Sequence, residues 1–421
     1  MVSTPSIAGT ESGIVRERSF QLLLLVNVLP PLGTALLSPV LGSLVEPLGA
    51  TAASVGLLMS AFTGPAVVVI PIAGVISDRY GRRPVLIFGL VWFGLTGTAI
   101  AFVDTFRAAI ALRLLQGIGF AALTPIIITS LGDLYAGTKE ATAQGLRFTG
   151  SGLSQTAFPL VAGVLVGVGW RYPFLLYAVA FPIAAIVYRH LEEPMDTDAT
   201  TGSDAALGDQ LAGLRRLLAH RRAWTIVVAR GTANLAWFGF LTYNSIVVVD
   251  VLGGTPAQAG LLAALASLTY ALAATQTGRI TARFESRLYP LVAANASMGV
   301  GLGTVFLATS LPIAAVGVVL MGAGFGLVLS MYRSVVTTLA PAGLRGGLVS
   351  LSEGSGRAAA TLTPIAMGAA IAVATAQMAF VPAVRLVGLA TGVVGAVVGI
   401  GCLLAMSRAP PIRMAEWESP S

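Results

Sequence analysis

The chain has 421 residues, of which 56% are hydrophobic and only 10% are charged, against roughly 25% charged residues in an average soluble domain. With a mean hydropathy of +0.85, this composition nearly excludes a solvated globular protein and predicts one surrounded mostly by lipid. One cysteine, Cys402, and two histidines, His190 and His220, exclude an intrachain disulfide and a thiolate or two-histidine metal site. The net charge of +7 comes from basic residues at the ends of apolar runs, which favours anionic lipid headgroups over nucleic acid as partners.

From the N-terminus onward, hydropathy and helix-breaking residues predict twelve membrane-spanning segments. A helix needs about 20 apolar residues to span a membrane, and in hydrocarbon it satisfies its own backbone hydrogen bonds. The first apolar run is longer than the core of a cleaved signal, so we count it as a span. The predicted segments are 20–41, 53–76, 84–103, 107–131, 144–166, 173–190, 224–250, 257–277, 288–308, 312–335, 348–374 and 383–406.

One long polar stretch, residues 191–223, divides these segments into two sets of six. It predicts an N-terminal bundle over 20–190 and a C-terminal bundle over 224–406, with polar tails at 1–19 and 407–421. The first part of the stretch, EEPMDTDATTGSDAALGDQ, is typical of a flexible linker. The second part, LRRLLAHRR, is typical of a basic helix lying on the membrane surface.

The basic residues predict the orientation of the chain. If the N-terminus is inside, 17 of the 25 basic residues fall on the inner side, and only Arg107, Arg171 and Arg385 fall outside. Because cytoplasmic loops carry an excess of arginine and lysine, we expect both termini and the central stretch in the cytoplasm. The sequence therefore predicts a multi-pass protein of the cell (plasma or inner) membrane.

The two halves of the chain repeat each other at a nearly constant offset. The matches are QGIGF (116–120) with MGAGF (321–325), GSG (150–152) with GSG (354–356), Pro159 and Gly163 with Pro364 and Gly368, and GVISDRYGRR (74–83) with GRITARFESR (278–287). Two parallel six-helix halves with a mid-membrane site between them are typical of secondary transporters.

Three strings resemble signatures of the major facilitator superfamily. GVISDRYGRR resembles that family's loop signature G-x-x-x-D-R-x-G-R-R, while RLLQGIGFAA (113–122) and GWRYPF (169–174) resemble segments of its drug/proton antiporter branch. The resemblance covers essentially the whole chain. It implies an all-α membrane protein with twelve transmembrane helices in two pseudo-symmetric six-helix bundles. We further expect a monomer in the lipid bilayer that takes a small-molecule substrate and no nucleic acid, metal or other cofactor, with the proton gradient as driving force.

The loop between the second and third helices is a candidate conformational latch. Its glycines permit close helix approach and a tight turn, and Asp78 can face a helix N-terminus. The resemblance implies that Asp78 faces the N-terminus of the eleventh helix, near Gly346 and Gly347. This contact would hold the cytoplasmic side of the protein closed. The alternative is a turn with a basic anchor. The predicted latch residues are Gly74, Asp78, Arg79, Gly81, Arg82 and Arg83.

The sequence also departs from the antiporter branch. That branch carries G-x-x-x-G-P-x-x-G-G in its fifth helix, whereas SQTAFPLVAG (154–163) keeps Pro159 and Gly163 and lacks three of the glycines. With Pro364 and Gly368, these two residues are predicted hinges of the fifth and eleventh helices. Relatives often carry an acidic residue in the first helix, and residues 26–40 have none. Both departures weaken the case for the usual form of proton antiport.

A charged side chain inside a membrane span costs free energy, so each charged residue in a predicted span is a functional candidate. The resemblance implies a cavity role for Arg113, and the alternative is an arginine that reaches the outer headgroups. Arg333 and Glu353 are equally far from the turn between the tenth and eleventh helices, and Arg357 is one helical turn beyond Glu353. The same arithmetic places Asp133 level with Arg147. These residues predict either structural ion pairs or a Glu353 carboxyl that takes up a proton during transport.

In this family the cavity is lined mainly by helices 1, 4, 7 and 10. The polar, charged and aromatic candidates on them are Asn27, Gln116, Arg230, Asn234, Trp237, Phe238, Asn244 and Tyr332. Each is also an ordinary type of packing or helix–helix hydrogen-bonding residue. As a set they favour apolar or weakly polar substrates over sugars.

The leading hypothesis is a secondary active transporter that exports small amphipathic compounds by alternating access, driven by the proton gradient. One alternative is uptake or uniport of a small metabolite, such as a sugar or an organic anion. An alternative of another class is a non-transporting membrane receptor or a lipid scramblase on the same scaffold. An enzyme is not expected and no catalytic residue is assigned. The phosphate-binding loop G-x-x-x-x-G-K-[ST] of ATP-driven pumps does not occur in the sequence.

Overall fold

The computed structural model describes residues 13–194, 215–284, 286–339 and 345–410, which are mostly helical. Eleven of the described helices are long and apolar enough to cross a membrane. We number them α2 to α12 and reserve α1 for the first predicted span. The bounds are α2 Leu57–Tyr80, α3 Arg82–Phe102, α4 Phe106–Leu134, α5 Gly137–Val168, α6 Tyr172–His190, α7 Arg221–Val251, α8 Pro256–Thr275, α9 Leu288–Leu307, α10 Leu311–Leu339, α11 Arg345–Thr375 and α12 Phe380–Ser407.

The first predicted span is helical but interrupted. It forms the two pieces Arg18–Asn27 and Leu29–Ala35, together called α1, followed by turns and a short 3₁₀ helix, Gly42–Leu44. Two consecutive prolines, Pro30 and Pro31, donate no backbone hydrogen bond, so the hydrogen-bond ladder breaks beside them. Val28 between the pieces keeps helical angles (φ −65°, ψ −32°), so the chain continues in the same direction. The same effect splits α2, whose ladder is interrupted at Pro65 between Leu57–Thr63 and Ala66–Tyr80.

The internal repeat reflects close helix packing in both bundles. Gly117 and its counterpart Gly322 give the first example. A methyl group at Gly117 on α4 would lie 2.3 Å from the Phe62 carbonyl oxygen of α2. A methyl group at Gly322 on α10 would lie 2.4 Å from the Ala266 carbonyl oxygen of α8. No side chain fits at these distances, so both glycines let two helix backbones touch.

The second glycine of each matching motif packs against a different helix. A methyl group at Gly119 would lie 2.8 Å from the Phe93 backbone nitrogen of α3, and one at Gly324 would lie 2.6 Å from the Ala294 carbonyl oxygen of α9. Each G-x-G pair therefore clamps one helix between two others. The repeated residues repeat because the two bundles share this three-helix packing.

Successive helices run in opposite directions, so the molecule has two ends. We call the basic end the one at which α1 begins and the loop between α2 and α3 lies, with Arg79, Arg82 and Arg83. The other end, at which α1 stops, is the far end.

Hydrogen bonds join the two bundles near the far end. Between the turns that follow α1 and helix α7, Ser245 Oγ donates to the Pro39 carbonyl oxygen (3.0 Å) and Asn244 Nδ2 donates to Ser38 Oγ (3.5 Å). Between α2 and α11, Ser60 Oγ donates to the Thr361 carbonyl oxygen (2.6 Å). These contacts hold the far-end halves of the bundles together.

Two glycine–proline crossings complete this contact, and they occupy the positions predicted as hinges. A methyl group at Gly163 of α5 would lie 2.7 Å from the Pro256 carbonyl oxygen of α8, and one at Gly260 of α8 would lie 2.3 Å from the Pro159 carbonyl oxygen of α5. In the symmetry-related crossing, a methyl group at Gly368 of α11 would lie 2.2 Å from the Ala53 carbonyl oxygen. These residues sit where one bundle's backbone touches the other's.

Candidate functional site

A cluster of three charges lies in the C-terminal bundle where α7 meets α11. Arg230 Nη2 donates to Glu353 Oε2 at 3.2 Å, and the Arg230 side chain is almost completely buried. Arg357 is one turn from Glu353 on the same face of α11 and interacts electrostatically with both. Among the described residues no carboxylate forms a salt bridge with Arg357. Among the described side chains, the cluster therefore holds two arginines and one carboxylate, which is one more positive charge than negative charge.

The position of this cluster relative to the bundle contact is set by the helical repeat. Thr361, one turn from Arg357 toward the far end, donates its hydroxyl to Thr63 Oγ1 of α2 at 3.0 Å across the two bundles. Arg357 therefore lies on the face of α11 that turns toward the other bundle, one turn on the basic side of that contact. The charges sit beside the boundary between the bundles, at membrane depth.

The hairpin arithmetic predicted that Glu353 is level with Arg333 and did not indicate its partner on α7. Equal distance from a turn fixes depth in the membrane, whereas the neighbour of a side chain depends on which helices pack together. The tenth-helix candidate of that arithmetic, Arg333, belongs to α10, and its side chain lies outside the described part of the structure.

The same arithmetic suggested a pair between Asp133 and Arg147 in the N-terminal half, and this pair is not formed. Asp133 pairs with Arg82 at 3.0 Å. Arg147 instead donates to Gln144 Oε1 at 3.0 Å and lies 3.5 Å from Asn27 Oδ1. Asp133 is close to the end of α4, where the side chain reaches the loop between α2 and α3, so an equal depth did not make the two residues neighbours.

The polar candidates on α1 and α7 tie these helices to α5 and α11 in matching ways. Asn27 Nδ2 donates to the Arg147 carbonyl oxygen (2.9 Å) and to Ser151 Oγ (2.8 Å). In the second half, Asn234 Nδ2 donates to the Gly356 carbonyl oxygen (2.7 Å) and Arg230 Nη1 donates to Asn234 Oδ1 (3.1 Å). Both bundles therefore carry a polar bridge at this depth, and the second one also contains the charges.

An aromatic cluster lies between α7, α8 and α10. Trp237 stacks on Phe325 with ring centroids 4.5 Å apart and an angle of 8° between the planes, and Tyr270 lies 5.8 Å from Trp237. Trp237 is two turns from Arg230 on the same helix. Trp237 was a sequence candidate, while Phe325 and Tyr270 were missed because an aromatic residue in an apolar helix gives no signal of its own. Phe238 is partly buried against the core.

Arg113 is completely buried in the N-terminal bundle, with 0% of its surface exposed. Its guanidinium donates to the Gly33 carbonyl oxygen of α1 (2.7 Å), the Leu58 carbonyl oxygen of α2 (3.2 Å) and Gln116 Oε1 (2.7 Å). Its Cζ lies 4.3 Å from the centre of the Phe62 ring. In this conformation Arg113 and its partner Gln116 join helices inside one bundle instead of lining a cavity.

Two further cavity candidates form hydrogen bonds outside the charge cluster, although Tyr332 is close enough to Arg230 to interact with it electrostatically. Asn244 donates to the Ala259 carbonyl oxygen at 2.8 Å and belongs to the far-end contact. Tyr332 is fully buried, and its hydroxyl accepts from Asn295 Nδ2 of α9 at 3.3 Å.

The candidate latch loop is held within its own bundle. Gly81 has φ +95°, a conformation that favours glycine, and it turns the chain from α2 into α3. Arg82 pairs with Asp78 and Asp133 and donates to Ser77 Oγ at 2.7 Å.

The remaining latch candidates differ in their contacts. Arg83 lies over the Tyr188 ring (5.5 Å to the centroid) and donates to the Tyr188 carbonyl oxygen, whereas Arg79 lies over its neighbour Tyr80 (5.6 Å). A methyl group at Gly74 would meet no atom within 4 Å. Asp78 is 61% exposed and paired with Arg82, so its expected contact with the start of α11 remains a prediction for another conformation.

One carboxylate that contacts this loop was not predicted from the sequence. Glu193, just after α6, accepts the backbone N–H of Arg82 (2.6 Å) and that of Arg83 (3.1 Å). It caps the N-terminus of α3, where a negative charge is favoured. Its partners are more than a hundred positions away, so no local pattern marks it.

The match to a known family settles the class of protein. Residues 23–253 and 231–419 match the family model described as Major Facilitator Superfamily.

The chain belongs to the major facilitator superfamily.

The members of this family are multi-pass membrane transporters and not enzymes. The all-α fold expected for the chain is confirmed.

Curated relatives of this facilitator match it over part of their length. The Bacillibactin exporter of Bacillus subtilis (strain 168) is 34% identical over 156 residues, which cover 35% of this chain and 39% of the exporter. The Multidrug transporter MdfA of Yersinia pestis bv. Antiqua (strain Angola) is 26% identical over 179 residues, covering 42% of this chain and 43% of the transporter. The facilitator thus spans about two fifths of the length of these relatives.

Solved structures share the fold of this facilitator along most of the chain. A bacterial homolog of the human lysosomal transporter Spinster, in an inward-facing and occupied conformation, has a TM-score of 0.78 at 18% identity, covering 93% of this chain and 96% of that one. A D-xylose–proton symporter has a TM-score of 0.74 at 16% identity, covering 94% of this chain and 98% of the symporter. At such identities the likeness concerns the fold.

Proposed function

We propose that this facilitator exports small amphipathic compounds from the cytoplasm across the cell membrane, by alternating access and driven by the proton gradient. The observation that carries the proposal is the carboxyl of Glu353, held between Arg230 and Arg357 beside the boundary of the two bundles. Carboxyl groups at membrane depth are rare, and they are typical of proton relays and ion pathways.

Protonation of Glu353 would change the charge at the bundle boundary. With the carboxylate ionised, the cluster carries one surplus positive charge. With the carboxyl protonated, Arg230 loses its charged partner and both arginines need water or a ligand. Because an uncompensated cation is costly in hydrocarbon, the protonated cluster favours a conformation that hydrates it. A proton that prefers one of two conformations biases the equilibrium between them, and this supplies the coupling.

The side chains near the cluster support an amphipathic substrate. Trp237, Phe325 and Tyr270 form a largely buried aromatic cluster two turns from Arg230, and the Asn234 amide lies between the cluster and the arginine. A site with apolar walls and few polar groups binds molecules that are themselves mostly apolar. The exporter and multidrug transporter among the relatives support the same substrate class and direction.

The direction of export also follows from an orientation that we propose. The basic end carries most of the arginines, so we place it and both chain termini in the cytoplasm. The bundles touch near the far end, and the charge cluster lies on the basic side of that contact. This conformation then faces the cytoplasm, where an exporter loads its substrate. We propose that one copy of the chain carries out the cycle.

The test is transport by purified protein in vesicles with an imposed pH gradient. We expect gradient-driven movement of amphipathic dyes and little movement of sugars. Glu353→Gln should reduce this movement to background while leaving dye binding unchanged, because the variant keeps the shape of the side chain but cannot take up a proton. Glu46→Gln, which changes an exposed acid between α1 and α2, is the matched control. Undiminished gradient-driven transport by Glu353→Gln would contradict the proposal.

A second candidate function, transport of an organic anion, is favoured by the surplus charge of Arg357. An anion bound beside the arginines would lower the local positive potential and favour the protonated form of Glu353. Proton and anion would then bind together and travel in the same direction. The same vesicles distinguish the two candidates, because antiport moves protons against the substrate flow and symport moves them along with it.

A further inference from the structure

A groove runs along the outside of the C-terminal bundle between α9 and α12. Its volume is about 580 Å³, and apolar side chains and glycines line almost all of it. The one hydroxyl in its lining, Thr304, donates to the Val300 carbonyl oxygen of its own helix at 2.8 Å. The groove therefore offers no unsatisfied polar group along its length, and an apolar occupant meets no polar penalty there.

The depth of the groove matches one leaflet of a bilayer. On α9 it runs from Ala296 to Leu307, and on α12 from Leu389 to Ile400. At about 1.5 Å of rise per residue, each wall is roughly 16 Å long, and half of the hydrocarbon core of a bilayer is about 15 Å thick. Leu307 ends α9 at the far end, so the groove occupies the leaflet on that side.

An arginine stands at the mouth of the groove. Arg385 is one turn from Leu389 on the same face of α12, and its Nη2 donates to the carbonyl oxygen of Ala308, next to Leu307, at 3.1 Å. Its Nε is buried without a hydrogen-bond partner, and among the described residues no carboxylate pairs with it. The buried Nε is closed to a ligand, whereas the outer nitrogen Nη1 is not buried and has no hydrogen-bond partner among the described residues. This side of the guanidinium can donate to a ligand at the level of lipid headgroups.

We propose that this groove is a binding site for a phospholipid. One acyl chain lies in the groove between α9 and α12, and the phosphate accepts hydrogen bonds from Arg385. An apolar slot of leaflet depth below a single cation has the shape and the charge of one phospholipid, and arginine is well suited to phosphate because its donors form a planar fork. The site lies outside the bundle boundary and does not depend on the proposed transport function.

The first experiment measures lipid binding to the purified protein by native mass spectrometry. The probes are phosphatidylglycerol and a diacylglycerol with the same acyl chains, which lacks the phosphate. We expect the intact protein to prefer phosphatidylglycerol, and Arg385→Gln to weaken its binding by about tenfold or more while leaving diacylglycerol unaffected. Arg107→Gln, an exposed far-end arginine on α4, is the matched control and should bind like the unmodified protein. Equal binding of the two lipids, or no effect of Arg385→Gln, overturns the proposal.

The second experiment tests the groove itself. Val393 and Val394 are neighbours on α12 and are each 51% exposed, but only Val393 lines the groove. Val393→Trp should fill the groove and weaken binding of both lipids, whereas Val394→Trp should not. A phosphatidylglycerol with a photoreactive acyl chain should label residues of α9 and α12. Labelling elsewhere, or crosslinks that join two copies of the chain through this groove, overturns the proposal.

Discussion

Arg113 shows how a charged residue is stabilised deep inside a bundle without an acidic partner. Its donors point at carbonyl and amide oxygens on α1, α2 and α4, and Phe62 covers its face. Carbonyl dipoles and an aromatic face replace the water that the cation would otherwise need. The sequence selected Arg113 as a functional candidate because a charge in hydrocarbon costs free energy. In the structure its hydrogen bonds join helices within one bundle.

We expect Arg113→Leu to destabilise the fold, because it removes the guanidinium hydrogen bonds to the buried oxygens of Gly33, Leu58 and Gln116. A buried unsatisfied acceptor costs about 1–3 kcal/mol, so the total loss should be on the order of 3 kcal/mol or more. Arg113→Lys should recover only part of it, because an ammonium cannot reproduce the fork of donors. Thermal unfolding in detergent measures the effect, with Arg107→Gln on the same helix as control. An unchanged unfolding temperature for Arg113→Leu would refute this role.

Glu353, unlike Arg113, lies in a cluster with residues of opposite charge. The sequence selected it as the acidic residue clearly inside a predicted span, and in the structure it interacts with Arg230 and Arg357. The identity of its partner on α7 needed the tertiary structure, because nothing in the spacing relates Glu353 to a residue 123 positions away.

At the Lys139 end of α5, the N-terminal segment is tied down by charge. The Lys139 ammonium lies 2.7 Å from Glu17, and its hydrogen bond lowers the pKa of that carboxyl. The sequence predicted a polar tail here and gave no reason to expect this contact.

At the scale of helices, the glycine–proline crossings decide how the bundles close. The sequence predicted Pro159, Gly163, Pro364 and Gly368 as hinges from their resemblance and their repeat. The structure places them where the backbones of the two bundles touch at the far end. The repeat arises because the same close crossing is built twice.

We expect Gly163→Ala to hold the bundles apart at the far end, because its methyl group would lie 2.7 Å from the Pro256 carbonyl oxygen of α8. Transport should fall by roughly tenfold or more if closing costs at least about 1.4 kcal/mol extra, while the helices remain folded. The control is Gly167→Ala, one turn along the same helix, where a methyl group meets no atom within 4 Å.

Distances between spin labels on the far-end loops of the two bundles report the change directly. For Gly163→Ala they should shift toward longer separations, and for Gly167→Ala they should match the unmodified protein. Identical distances in both variants would show that the crossing does not limit closure.

At the scale of the whole molecule, the number of crossings and the arginine distribution predict a topology that is testable without knowing the substrate. In a chain with Cys402→Ser, a membrane-impermeant maleimide should label Gln377→Cys, between α11 and α12, in intact cells. It should not label Arg283→Cys, between α8 and α9. Inverted membrane vesicles should give the reverse pattern, and labelling of both positions from one side would contradict the proposed orientation.

The sequence by itself determined that the protein lies in lipid, where its helices are and that its two halves repeat. These features depend on local hydropathy and on residues close together along the chain. The prolines that interrupt α1 and α2, and the glycines that bring helices into contact, are visible in the same way. Only the tertiary structure decided that Arg230 meets Glu353, that Glu193 caps α3, and that Arg113 is enclosed by carbonyl oxygens. Each of these contacts joins residues far apart in the chain, and its formation depends on how helices are placed around one another, which no local pattern encodes.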